Sequence, residues 1–339
     1  ITIYEYYVMA SYLRVIFLFA VFLSATTFAM PTARSAPKVV ASIQPIHSLV
    51  ASVMEGIGTP VILLDGNSSP HSFSLRPSQA RQLSEADLIF WIGEDLESFL
   101  EKPLQSLAKN NVLVKLSKAP GIRLLKYKES GAWKEENLHE ESRDERAEKK
   151  QEKHSDHDDH EGHAHGEHNM HVWLDPRNAG HMVNVIVGKL KTLDPGNAPA
   201  YEANARRVSA RLKALDVKLE QSLKLVSAAP FLVFHDAYQY LENRYELNAA
   251  GTITVNPDLK PGAKRLSLLR KKIKHTGVVC IFSEPQFEPA IVKMLVDDSN
   301  AKSGILDPLG AGITPGPDGY FQLMERMAAS LSRCLSPSS

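Results

Sequence analysis

Lys38-Val39-Val40-Ala41-Ser42-Ile43-Gln44-Pro45-Ile46-His47-Ser48-Leu49-Val50-Ala51-Ser52-Val53-Met54 is the stretch that decides the fold class. A short apolar run of strand length, 38–43, passes into a helix-like segment, 46–54. Working outward, further apolar runs bounded by turn residues fall at 61–64, 88–92 and 112–116, with another helix-like segment at 78–86. The pattern resumes at 231–234, 278–282 and 304–306. Strands alternating with helices predict β-α units and mostly parallel sheets, and the two groups of runs predict two Rossmann-like α/β lobes.

Between the groups, Tyr201, Ala205, Val208, Leu212, Leu215, Leu219, Leu223 and Val226 recur in steps of three and four. That spacing keeps one stripe facing a core and predicts a helix over 199–226, roughly 42 Å long at 1.5 Å per residue. With no glycine or interior proline to bend it, the helix reads as a stiff strut between lobes. The organisation expected is an N-terminal lobe over 38–198, the linker helix over 199–226 and a C-terminal lobe over 227–339. The first lobe carries an insert, 126–169, poor in apolar residues and dense in Glu, Lys, Asp and His. Such a composition buries too little surface to offset the entropy of ordering, so a disordered loop is expected.

The N-terminus reads as an export signal: Arg14, an apolar run over 15–28, and small residues around Thr27-Phe28-Ala29. The expected signal peptide is 1–29, with residues 1–8 before Met9 an over-extended start. No cysteine follows it to carry a lipid anchor, so a soluble periplasmic location is expected. Basic and acidic side chains number 39 each, which leaves no excess positive charge to meet phosphates and argues against nucleic-acid binding. The two cysteines, Cys280 and Cys334, invite a disulfide in an exported chain; two buried free thiols are the alternative.

Metal-competent side chains follow the strand runs. His71 comes after 61–64, His235 directly after 231–234, Glu284 after 278–282 and Asp307 after 304–306. Ligands of open α/β sheets collect at the carboxyl ends of strands. His171 joins them where the insert returns to ordered sequence. Three imidazoles plus an oxygen suit zinc better than manganese or magnesium, which favour more oxygen. Glu284 is either a weak ligand or an acceptor for an imidazole N–H. His47, His181 and His275 read as structural.

Five motifs then resemble the ZnuA-like zinc-uptake receptors, in the same order around a histidine-rich loop. They are Pro70-His71-Ser72-Phe73-Ser74-Leu75-Arg76-Pro77-Ser78, Asn169-Met170-His171-Val172-Trp173-Leu174, Phe234-His235-Asp236-Ala237-Tyr238, Ser283-Glu284-Pro285-Gln286-Phe287 and Leu306-Asp307-Pro308-Leu309-Gly310. The resemblance runs over about 38–335. It implies two α/β lobes joined by a long helix with the metal between them, His71, His171 and His235 as zinc ligands, and a C-terminal disulfide. It also implies a monomeric receptor serving an inner-membrane ABC permease and its cytoplasmic ATPase. Manganese receptors of the family carry a carboxylate at the third position, where this chain has His235. Some members carry an acidic residue just before the first ligand; here Pro70 stands there, which leaves the fourth position to Asp307 or to a water. Within the insert, His154, His157, His160, His163, His165 and His168 are candidates for a weak zinc site.

The rivals are a zinc hydrolase, a protein holding a structural zinc, and a manganese or iron receptor of the same fold. No His-Glu-x-x-His helix and no Gly-x-Ser-x-Gly elbow occurs. A phosphate loop is missing too, so ATP hydrolysis falls to a partner. A buried site without room for substrate separates a receptor from a hydrolase.

Overall fold

The computed structural model describes residues 35–107, 111–128, 167–254, 257 and 260–337. Its contacts divide the chain into Ile1–Ser35 and Ala36–Ser339, and the fold is that of the second unit. The expected signal peptide and the loop histidines His154, His157, His160, His163 and His165 lie outside the described residues.

The first half is built from β1 (Val39–Ile43), α1 (Gln44–Met54), β2 (Val61–Leu64), α2 (Pro77–Glu85), β3 (Leu88–Trp91), α3 (Ser98–Leu107) and β4 (Val112–Lys115). Its four strands form a parallel sheet in the order β2-β1-β3-β4. Every residue of β1 is buried, as both faces of a parallel sheet require. A short antiparallel pair, β5 (Leu125–Lys126) and β6 (His168–Asn169), precedes α4 (Pro176–Leu193). Then comes the long helix α5 (Ala198–Lys224).

The second half repeats the plan with β7 (Phe231–Val233), α6 (Gln239–Tyr245), β8 (Ala249–Thr252), α7 (Ala263–Thr276), β9 (Cys280–Ser283), α8 (Ala290–Asp297), β10 (Lys302–Ile305) and α9 (Gly319–Leu335). Its sheet is also parallel, ordered β10-β9-β7-β8. A disulfide joins Cys280 at the start of β9 to Cys334 near the end of α9.

Helix α5 joins the two halves as expected and is also a spine of the core. Its stripe, Tyr201 to Leu223, is buried against α1 and α4 of one half and α9 of the other, within one apolar cluster that reaches both sheets. Strand β8 had no signal, because Ala249-Ala250-Gly251-Thr252 has little apolar bulk; it forms at a sheet edge, where β7 supplies its hydrogen bonds. The insert is also shorter than 126–169. Lys126 pairs with His168 and Leu125 with Asn169, so its neck is an ordered strand pair that plants His171 two residues beyond β6.

Candidate metal centre

His71 lies in the turn-rich segment between β2 and α2, where its backbone N–H donates to Ser69 Oγ at 3.2 Å. His171 follows β6 and opens a short 3-10 turn, Val172–Leu174. The turn feeds α4, whose first residues are capped by Asp175 accepting from the Arg177 N–H. His235 stands past the end of β7. The ring centroids of His71 are 5.6 Å from those of both His171 and His235, which are themselves 5.2 Å apart. One ligating nitrogen from each lies within 4.8 Å of the others, and this is the one such group of three or more among the described residues.

The far sides of two rings are fixed. His171 Nδ1 is 2.9 Å from Asn169 Oδ1. The orientation of that amide is set from both ends: Oδ1 also accepts the His171 backbone N–H, while Nδ2 donates to the Asp236 carbonyl at 2.6 Å. His235 Nδ1 is 2.7 Å from Glu284 Oε1. Facing an acceptor, each Nδ1 carries the proton of a neutral ring, and in that form each Nε2 offers its lone pair to the cavity. Those two Nε2 atoms are 3.3 Å apart. For neutral rings that is no hydrogen bond, since neither atom holds a proton to share. Two nitrogens bound at 2.0–2.1 Å to one tetrahedral zinc sit about 3.3–3.4 Å from each other, so the spacing is that of a ligand pair. Burial above all, and then the neighbouring His235 and His71, hold His171 well below the ordinary histidine range. It is therefore neutral and ready to ligate at neutral pH.

The surrounding cavity has a volume of about 10 Å³ and is lined by the three histidines with Pro70, Glu284 and Phe287 among others. That is room for an ion or a single water and nothing larger. Phe287 stacks on Phe234 and stands edge-on to His235, closing one wall.

Of the sequence candidates, the structure brings together His71, His171 and His235, with Glu284 behind His235. Asp307 is not in the group, because its carboxylate is occupied elsewhere. Oδ1 accepts from the Leu309 and Gly310 N–H groups at 3.0 Å and from Gln286 Nε2 at 2.9 Å, and Oδ2 accepts from Ala311 N–H. An Asp before proline is a common turn former, and here that role takes the side chain. His168 sits in the neck strand β6. His47 bonds the Pro60 carbonyl from inside the core, a structural role. Asn169 was overlooked as a functional residue, although its place two positions before His171 is where a short side chain reaches back to that ring.

Two α/β halves around an ion-sized cavity, with three convergent imidazoles, define a metal-binding receptor. The family model described as zinc-uptake complex component A, periplasmic, matches residues 39–334, and the chain belongs to that family. The high-affinity zinc uptake system protein ZnuA of Brucella suis is 45% identical over 305 residues, covering 88% of this chain and 91% of that one. A ZnuA deletion mutant with zinc bound superposes with a TM-score of 0.71 at 24% identity, over 90% of this chain and all of that one. The receptor FpvC of Pseudomonas aeruginosa, solved with Mn2+, superposes with a TM-score of 0.69 at 20% identity, over 88% of this chain and 98% of that one. Neighbours bound to different metals share the fold, so the choice of ion has to be argued from the donor atoms.

Proposed function

We propose that this chain is a periplasmic zinc receptor. It binds one Zn2+ through His71, His171 and His235, completes the tetrahedron with a water, and hands the ion to an inner-membrane ABC permease driven by a cytoplasmic ATPase. The observation that carries the reading is the pair of bare Nε2 atoms 3.3 Å apart in a cavity sized for one ion. Binding and release, rather than turnover, suit a cavity with no space for a substrate. All-nitrogen protein donors favour zinc over manganese. The apolar run over 15–28 serves as the export signal, and no helix among the described residues is long and apolar enough to cross a membrane. The receptor works as a monomer and has no nucleic-acid partner. The histidines of the insert bind further zinc weakly and raise its concentration near the main site.

The test is a competitive titration of zinc against manganese on the mature chain, and again after deletion of 134–165. That deletion spares Glu167, which pairs with Lys126 at the neck. One tight zinc per chain in both proteins, with manganese far weaker, is expected. Loss of tight binding on deletion would place the main site in the insert and overturn the reading, and a preference for manganese would point to the sister receptors.

A further inference from the structure

The turn after β9 does more than carry Glu284. Two residues on, Gln286 points its side-chain amide at two acceptors at once, the Gly66 carbonyl at 2.6 Å and Asp307 Oδ1 at 2.9 Å. With acceptors on that side, the NH2 group must be the end facing them. Its Oε1 is buried and meets no hydrogen-bond donor. A buried acceptor left unmatched is a cost, so the side chain is oriented for its donors. Gly66 belongs to the other half of the molecule and opens the segment that leads to His71.

The Gly66 peptide is gripped from its other end as well. Its N–H donates to Gln44 Oε1 at 2.8 Å, and Gln44 Nε2 in turn donates to the Ile313 carbonyl of the second half at 2.7 Å. The two halves touch here backbone to backbone. A Cβ on Gly66 would lie 2.4 Å from the Gly310 carbonyl carbon, so no larger residue fits without driving the turns apart. Gly310 in turn is held by Asp307, in the turn that Asp307 caps. Asp307, one of the two candidates for the fourth position, thus acts one step back from the metal: it fixes the turn against which the His71 segment is seated and shares Gln286 with it.

We propose that Gln286 is a positioning residue of the metal site, clasping the His71 segment across the two halves and setting how long the ion stays. This rests on the zinc-receptor reading. The clasp fixes the loop-borne ligand relative to the pair whose rings are fixed by Asn169 and Glu284. Loosening it leaves all three imidazoles present and lets His71 depart more often, so the effect falls on release rather than on capture.

The experiment measures zinc dissociation into excess chelator by stopped flow for wild type, Gln286→Met and Gln286→Ala, with association rate and zinc-free melting temperature alongside. Loss of one cross-half hydrogen bond predicts dissociation faster by roughly three- to ten-fold, equivalent to about 0.6–1.4 kcal/mol, with association changed by less than about two-fold. The same substitutions in a His71→Ala background are expected to change dissociation by less than about two-fold, since the clasp then has no ligand to position. Equal acceleration in both backgrounds means general loosening and overturns the proposal. So does release at the wild-type rate in both variants while wild type holds one tight zinc. A wild-type chain that binds no zinc tightly instead overturns the receptor reading, and this inference with it.

Discussion

His171 and His235 are 3% and 4% exposed, and each gives its outer ring proton to a buried oxygen. His71 is half-buried, and its anchoring runs through the chain: Ser69 Oγ takes its N–H, and Gly66 upstream is pinned across the halves. Side chains that touch the rings set the first pair, and for His71 the segment that carries it is itself pinned. A pair fixed before metal arrives pays little to bind. A ligand carried on a segment can leave first without unfolding anything. The asymmetry suits a carrier, which must hold an ion tightly and still surrender it.

The largest effects should break this asymmetry directly. A zinc-binding free energy of about 10–16 kcal/mol shared among four ligands is about 3 kcal/mol each, so His71→Ala is expected to weaken zinc binding roughly 10²-fold. His235→Ala strands the buried Glu284 carboxylate and His171→Ala strands Asn169, so each is expected to lose nearer 10³-fold. Competition against a chelator of known affinity measures both. Equal losses at all three positions would abolish the distinction between the ring-anchored pair and the loop-borne histidine. Next in size is Glu284→Ala, which leaves every ligand in place but frees the His235 ring; roughly 10- to 100-fold weaker binding is expected. Asn169→Ala should behave alike.

Much of this was legible in the sequence. The β-α alternation reported two parallel sheets because fully buried strands must be apolar throughout, and the stripe from Tyr201 to Leu223 reported α5 because one helix face is buried along its length. That the three histidines come together was legible because strand ends are where such folds gather ligands. What stayed hidden depended on partners distant in sequence. Asp307 before proline can cap its own turn or face the cavity, and Gln286, 21 residues back, joins the N–H groups of 309–311 in holding it to the turn. Asn169 meets His171 two residues away but also the Asp236 carbonyl 67 residues on. Strand β8 exists because β7 is beside it, not because Ala249-Ala250-Gly251-Thr252 favours a strand.

A smaller effect follows from proton linkage. The folded-state pKa of His171 is depressed well below 6.5 by burial, and that of His47 is lowered by the same cause. The unfolded chain therefore takes up protons first as the solution is acidified. Stability from these groups is fully present above about pH 6.5 and falls by at most about 1.4 kcal/mol per pH unit for each group below it. The melting temperature of the zinc-free chain should be level between pH 8 and 7 and decline toward pH 5. His171→Gln should make that decline shallower. A decline as steep as that of wild type would show that burial does not hold His171 neutral in the folded chain.

The smallest expected change would even out the asymmetry between the pair and His71 rather than break either. Pro70 is buried, lines the cavity and immediately precedes His71. Glutamate at this position, the substitution Pro70→Glu, would offer an oxygen in place of the proposed water and give the His71 segment a second donor. A carboxylate buried there without metal is costly, so the zinc-free protein should melt at a lower temperature than wild type. Zinc relieves that cost by pairing with the charge, so the rise in melting temperature on adding zinc should be larger than in wild type. Affinity should gain no more than about tenfold, because in the proposed site a water fills the fourth position and its replacement adds only the difference between two oxygen donors. Calorimetric melting with and without zinc measures both shifts. An equal zinc-induced rise in the two proteins would mean that position 70 faces the cavity without reaching the ion.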